Sequence, residues 1–224
     1  MNNDSPEIVY EDDSILIISK PAGFATQSAN VGQKDCVSFV KEYLAGKEKG
    51  GREPYVGVIH RLDQPVAGLL VFAATKAAAA SLSGQVQNGL MNKHYTALVE
   101  GIVDVADDTE LTDLIGRDKQ TGNAVIGDAS GNCSGMKEAR LLYHTQKIYE
   151  ERNATLLSID LITGRFHQIR AQLSHMGHPI VGDKRYGATS PWPKGIALCA
   201  DRLEFSHPVS GEKVEKIVDF SFCL

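Results

Sequence analysis

The apolar pattern of this chain predicts strands and helices of different kinds. Ser14–Ser19 holds the unbroken run Ile15-Leu16-Ile17-Ile18, the mark of a buried strand, and stops at the turn signal Lys20-Pro21-Ala22-Gly23. From Asp35 to Gly46, the residues Cys36, Val37, Phe39, Val40, Tyr43 and Leu44 recur at the spacing of one helix face, with Asp35 as cap and Gly46 as stop. Val56–Ile59 and Gly68–Ala73 predict strands, joined by the proline-broken connection from His60 to Ala67. Thr75 caps a predicted helix running to Asn88, with Gly89 as its stop. His94–Val99 alternates, with Tyr95, Ala97 and Val99 on one side of a strand.

Residues 104–113 hold five acids and no base, which predicts a solvated loop. Residues 117–136 are rich in Gly, Asn, Asp and Ser around the short apolar piece Ala124–Ile126, a loop and hairpin. Ala139–Tyr143 and Ala154–Leu161 read as strands. Phe166, Ile169, Leu173 and Met176 make the apolar stripe of a helix that ends at Gly177. Leu198–Phe205 and Val214–Phe220 read as closing strands, and residues 1–7 as a frayed terminus. Strands outnumber helices without alternating with them, so the expected fold class is α+β with a mixed, mostly antiparallel central sheet and flanking helices. Residues 1–224 are expected to form a single domain.

Composition narrows the function classes. With 23 basic and 28 acidic residues, the net charge is −5, which excludes a globally basic coat on nucleic acid but not a local basic surface. Residues 163–187 make such a surface, with Arg165, Arg170, Lys184 and Arg185 against Asp183. The apolar runs fall far short of the ~20 residues that span a bilayer, so no membrane association is expected. Cys36, Cys133, Cys199 and Cys223 are scattered with no paired spacing, which fits a reducing, cytoplasmic setting and no zinc site. The glycines match neither the dinucleotide fingerprint nor the phosphate loop, so no cofactor is expected.

Three segments combine reactive groups with structural emphasis. His60-Arg61-Leu62-Asp63 places a carboxylate at a strand-to-turn junction; a surface Arg–Asp pair is the bland alternative. In Thr163-Gly164-Arg165-Phe166-His167-Gln168-Ile169-Arg170, helical spacing sets Arg170 about 40° from Phe166 and about 60° from Leu173. At that edge of the apolar stripe it either snorkels to water or pairs with a carboxylate or an RNA phosphate. In Lys93-His94-Tyr95, the tyrosine is either core or a planar platform for a base. His167, His175 and His178 lie close in sequence but without a ligand pattern, so hydrogen-bonded or solvent-facing histidines are expected.

Taken in order, VYEDDSILIISKPAGFATQS, HRLDQPVAGLLVFAATKAAA, KHYTALVEG, LITGRFHQIRAQLSHMGHPIVGDKRYGA and ADRLEFSHPVSGE resemble the RluA family of pseudouridine synthases over nearly the whole chain. The resemblance implies a single catalytic domain, without a separate N-terminal RNA-binding module, whose central sheet is split by an active-site cleft. It implies isomerisation of uridine to pseudouridine in structured RNA, ribosomal or transfer, without cofactor or metal; a monomer is the default expectation. It assigns Asp63 as the nucleophile that attacks carbon 6 of uracil or carbon 1 of ribose. It makes Tyr95 the ring that stacks on uracil and helps remove the carbon 5 proton, and Arg170 the guanidinium that keeps Asp63 ionised. Arg61, Arg165, His167, Gln168, Lys184 and Arg185 are the implied substrate and RNA contacts. After Asp63 the chain reads Gln-Pro-Val-Ala-Gly, where many members end in Thr-Ser-Gly, a subgroup variation. Two other readings are a non-catalytic RNA-binding module and a hydrolase pairing Asp63 with His60 or His167.

Overall fold

A computed structural model describes residues 5–28, 32–47, 53–127 and 135–219. Their contacts divide into two compact units: the described residues up to Met91 together with those from Ala200 onward, and Asn92–Cys199.

The first unit holds β1 (Glu7–Glu11), β2 (Ile15–Lys20), α1 (Cys36–Lys47), β3 (Gly57–Val58), β4 (Ala67–Ala73) and α2 (Lys76–Gln87). The apolar run at Ile15 forms β2, and it pairs antiparallel with β4 from Ile15 opposite Ala73 to Lys20 opposite Gly68. Every residue of β4 is buried, as a strand covered on both faces must be. By the two-residue period Ile15, Ile17, Leu69, Val71 and Ala73 share one face, where they pack with Ala78 and Leu82 of α2. Full burial of each of the larger aliphatics contributes roughly 1.5–3 kcal/mol. Thr75 caps α2 as expected, its hydroxyl accepting from the Ala78 N–H at 3.1 Å. Asp35 caps α1 in the same way, accepting from the Ser38 N–H at 2.7 Å.

The segment read as frayed extends less far than expected, because Glu7 opens β1, which pairs with β2. Val9 and Tyr10 give β1 a half-buried face on the same core, a signal too short to stand out among its acids. Residues 1–4, the remainder of that reading apart from Ser5 and Pro6, lie outside the described residues, as do 48–52 of the charged loop. The strand expected at Val56–Ile59 contracts to β3, whose Gly57 and Val58 pair with Ala73 and Phe72 before the chain turns into the His60 connection.

The second unit holds β5 (Asn92–Glu100), β6 (Thr109–Arg117), β7 (Ala124–Ile126), β8 (Lys137–Tyr149), β9 (Ala154–Leu161) and α3 (Gln168–His175). Its strands run in the order β5-β9-β8-β6-β7 with antiparallel ladders throughout. The acidic run is not all loop: residues from Thr109 onward form β6. Leu111, Asp113 and Ile115 turn inward at the two-residue period, and Asp113 accepts from the Gln172 amide at 2.9 Å. The alternation was present in the sequence beneath the charge. β5 is buried on both faces from Tyr95 to Val99, so Tyr95 is not distinguished from its neighbours by burial alone.

The stripe expected from Phe166 is also corrected. The helix α3 begins at Gln168, Phe166 is exposed, and His167 takes a left-handed conformation with φ of 50°. A turn therefore precedes the helix, and it redirects both rings. β10 (Leu198–Ser206), of which Ala200 onward belongs to the first unit, lies beside β4 and pairs antiparallel with β11 (Lys213–Ile217). At Gly68, with φ of 125°, an added Cβ would lie 2.3 Å from the Ala200 carbonyl oxygen, so no side chain fits there. β11 stops at Ile217, short of the expected Phe220, which lies outside the described residues. Together the elements make an α+β fold dominated by antiparallel strands.

Candidate active site

In the first unit, Asp63 sits half-buried in the connection between β3 and β4, with exposed Arg61 and buried Leu62 before it. Its backbone is fixed from three directions. Leu62 exchanges hydrogen bonds with the Thr26 hydroxyl, its N–H donating at 3.1 Å and its carbonyl accepting at 2.9 Å. The Val66 N–H donates to the Asp63 carbonyl at 3.0 Å. The Gln64 carbonyl accepts from the Gly23 N–H at 2.8 Å and from Lys20 Nζ at 3.1 Å. Lys20, only 1% exposed, also donates to the carbonyls of Pro21 and Phe24, so one buried ammonium gathers two loops.

Thr26 is held in turn by α1. The Val37 N–H donates to the Thr26 carbonyl at 3.3 Å, and the Cys36 N–H to Ala25 at 3.0 Å. Asp35, which caps that helix, also accepts from the Ser28 N–H at 2.6 Å. Burial tends to raise the Asp35 carboxyl, but the N–H donors of Ser38 and Ser28 outweigh it and hold the group below the usual carboxylate range. The turn signal after β2 and the helix cap thus both serve the shape of the Asp63 loop.

In the second unit the site is built around the start of α3. The helix buries Gln168, Ile169, Arg170, Ala171, Gln172 and Leu173, so its polar groups need internal partners. Arg170 donates from Nε and Nη2 to the two carboxylate oxygens of Asp183, at 2.7 and 2.8 Å. The pair is almost sealed, with side-chain exposures of 5% and 2%. Arg170 therefore does not snorkel, and the carboxylate its position requires is supplied in this unit by Asp183. The guanidinium also lies 4.9 Å from the centre of the Tyr186 ring.

Asp183 is set by the Gly-Asp-Lys-Arg-Tyr-Gly turn. Gly182 has φ of 86°, and an added Cβ would come 2.5 Å from Cβ of Trp192. The Tyr186 hydroxyl accepts from the Ala124 N–H at 2.8 Å and lies 2.8 Å from His167 Nδ1. Burial pushes the Tyr186 hydroxyl above its ordinary value against the opposing effects of the Ala124 N–H and nearby guanidiniums, so it stays protonated at neutral pH.

The other expected residues of this unit separate by role. Gln168, 3% exposed, closes the turn: its amide oxygen accepts from Thr163 Oγ1 and the Arg165 N–H, and its nitrogen donates to the Arg140 carbonyl. Arg165 donates from Nε to the Glu138 carbonyl at 2.8 Å. Lys184 is exposed, and exposed Arg185 reaches the β6–β7 hairpin, bonding Asn123 and the Gly122 carbonyl. Tyr95 is buried on β5 opposite Ile159. His178 lies 2.9 Å from the Glu100 carbonyl through Nδ1, and His175 is exposed, so the three histidines form no common cluster. Among the described residues no group of three or more His, Cys, Asp or Glu is placed to hold a metal.

The sequence reading missed Lys20, Thr26, Asp183 and Tyr186 as working parts. Lys20 reads as the start of a turn signal, and Asp183 as the lone acid in a basic segment. It also passed over Lys93, whose ammonium lies beside the Gly164 turn and is held below its ordinary range by burial. His60 Nε2 accepts from the Val71 N–H at 3.4 Å, which ties the start of the Asp63 connection to β4.

With the geometry in place, the comparisons identify the class. Residues 14–175 match the RNA pseudouridylate synthase family. Human RNA Pseudouridylate Synthase Domain Containing 1 has the same fold, with a TM-score of 0.75 at 24% identity, covering 96% of this chain and 83% of that one. The chain belongs to the RNA pseudouridylate synthase family, a class of isomerases.

Among its relatives, the Ribosomal large subunit pseudouridine synthase D of Zymomonas mobilis is 33% identical, covering 93% of this chain and 67% of that protein. That of Nitrosomonas europaea is 36% identical, covering 92% and 59%. The Uncharacterized RNA pseudouridine synthase YhcT of Bacillus subtilis is 32% identical, covering 93% and 66%. The chain thus spans 59–67% of the length of these relatives.

Proposed function

We propose that this protein isomerises uridine to pseudouridine in structured ribosomal or transfer RNA, with Asp63 as nucleophile and no cofactor. The observation that carries the reading is the family match over residues 14–175, a span that includes Asp63, Tyr95 and Arg170. The relatives named for large-subunit ribosomal RNA support that substrate class.

In this mechanism the Asp63 carboxylate attacks carbon 6 of uracil or carbon 1 of ribose. The bond between nitrogen 1 and ribose breaks, the uracil turns while held, and carbon 5 bonds to ribose. Loss of the carbon 5 proton and release of Asp63 restore the ring, with no net oxidation. Tyr95 stacks on the uracil and assists that proton's departure. Arg170, its plane fixed by Asp183, supplies the guanidinium of the reaction. Arg61, Arg165, Lys184 and Arg185 contact the RNA, while Gln168 holds the turn that presents Arg165 and His167 is anchored on Tyr186. The target nucleotide is flipped out of its stack, at a cost of a few kcal/mol. The chain acts as one catalytic domain and as a monomer in the cytoplasm.

The test is modification mapping of ribosomal and transfer RNA from cells with and without the gene, repeated with Asp63→Asn. Pseudouridines that vanish without the gene and are not restored by the variant are expected, with a rate loss of at least about 1000-fold in vitro. An unchanged map, wild-type turnover by Asp63→Asn, or a released free base in mass analysis overturns the reading.

A further inference from the structure

Phe166 has no place in the reaction just described, yet it is one of the more deliberately held side chains on the second unit. It is a large apolar residue that remains 42% exposed. Its ring stacks on His167 at 3.7 Å between centres and 21° between planes. His167 reaches that position through a left-handed backbone, a conformation that a non-glycine residue adopts only where its surroundings enforce it. On Phe166 lies the guanidinium of Arg117, 4.6 Å from the ring centre. His167 continues edge-on to Tyr186, and Tyr186 lies against Arg170. A ladder of planar groups thus runs from the buried Arg170 outward to Arg117 and Phe166 at the surface.

Two further observations say what the outer end meets. Arg117 has no carboxylate partner among the described residues, although it stands at the start of the β6–β7 turn beside an acid. The Asp118 carboxylate is taken up by the N–H groups of Gln120 and Thr121, each at 2.7 Å, which hold it below its ordinary pKa. The turn is clamped by Arg185 through the Gly122 carbonyl at 3.0 Å, so Arg117 projects from a fixed support. An exposed aromatic capped by a planar cation that meets no carboxylate among the described residues, with exposed Lys184 and Arg185 on the adjoining turn, matches the chemistry by which proteins hold a splayed nucleobase and its phosphate.

We propose that the Arg117 guanidinium, backed by Phe166, forms a stacking shelf for an unpaired base that flanks the target uridine. The inference rests on the proposed RNA substrate and deepens it: the substrate is a loop or bulge whose neighbouring base is free to leave the helix. Stacking on such a platform is sequence-tolerant, since every base has a π-face.

The test uses the full chain and an RNA fragment spanning a uridine found in the mapping above. Phe166→Ala and Arg117→Ala are expected to raise KM about tenfold or more, as the ~1–3 kcal/mol of one base stack implies at 1.4 kcal/mol per tenfold, with a smaller change in kcat. Phe166→Trp should retain turnover, and in a Trp192→Phe background its fluorescence should change on RNA binding. Arg117→Lys separates stacking from simple charge: the shelf predicts a KM close to that of Arg117→Ala. Circular dichroism of each variant confirms folding. A mapped uridine turned over with wild-type KM by folded Phe166→Ala, or full activity in Arg117→Lys, overturns the shelf and leaves the isomerase reading standing. Absence of any mapped uridine overturns both.

Discussion

The segments that carry Asp63 and Arg170 are each organised by a buried cation, and they use it differently. In the first unit the Lys20 ammonium is shared among the carbonyls of Pro21, Phe24 and Gln64. In the second, the Arg170 guanidinium is gripped through two nitrogens by the Asp183 carboxylate. A compact ammonium with rotatable donors binds carbonyls at different angles and so fixes a loop's backbone. A planar guanidinium facing a carboxylate fixes the plane of one side chain. Presenting Asp63 is thus a matter of backbone shape, whereas presenting Arg170 is a matter of side-chain orientation.

The sharpest way to break this contrast is Asp183→Asn, which keeps the shape of the side chain and removes its charge. Removing that charge from beside the buried guanidinium is expected to cost about 3–5 kcal/mol in denaturant unfolding. An unchanged midpoint would mean that the ion pair is not what holds Arg170. Lys20→Met should cost about 1.5–3 kcal/mol, because the carbonyls lose a charged donor. Its distinctive mark is catalytic: a displacement of the Asp63 loop by ~1 Å predicts roughly 100-fold lower kcat/KM in protein that is still folded. If the folded variant turns over normally, the ammonium does not set the loop.

Thr26→Val removes one hydroxyl from the same loop and is expected to cost about 1 kcal/mol, with a correspondingly smaller loss of activity. The smallest effect concerns acid. Asp35 has its folded pKa below the ordinary 3.8, so its contribution to stability is present above that value and is lost as pH falls through the lower folded one. The stability gap between wild type and Asp35→Asn, measured by urea unfolding at a series of pH values, should therefore narrow below about pH 4. A gap that widens there would show that the carboxylate does not gain from its N–H donors.

Much of the fold was legible because its determinants are local. The Ile15–Ile18 run, the Thr75 and Asp35 caps and the alternation of Ala154–Leu161 each follow from a few neighbouring residues. Where the sequence misled, charge concealed periodicity, as at Thr109–Arg117, or a turn interrupted an apparent stripe, as at Phe166 and His167. The candidate site was legible as residue types in order, and Arg170 stood out because a cation beside apolar positions demands a partner. That partner, Asp183, and the lysine beneath the Asp63 loop were not legible, since both act on groups far along the chain or on backbone atoms that any residue carries.

By itself, then, the sequence determined the element types, the caps and the set of chemically competent side chains, because those depend on local periodicity and on residue identity. Only the tertiary structure decided that Lys20 holds the Asp63 loop, that Asp183 orients Arg170, and that Phe166 stays at the surface under Arg117. Burial and pairing are set by contacts between segments distant in sequence, and such contacts exist only once the chain has closed on itself.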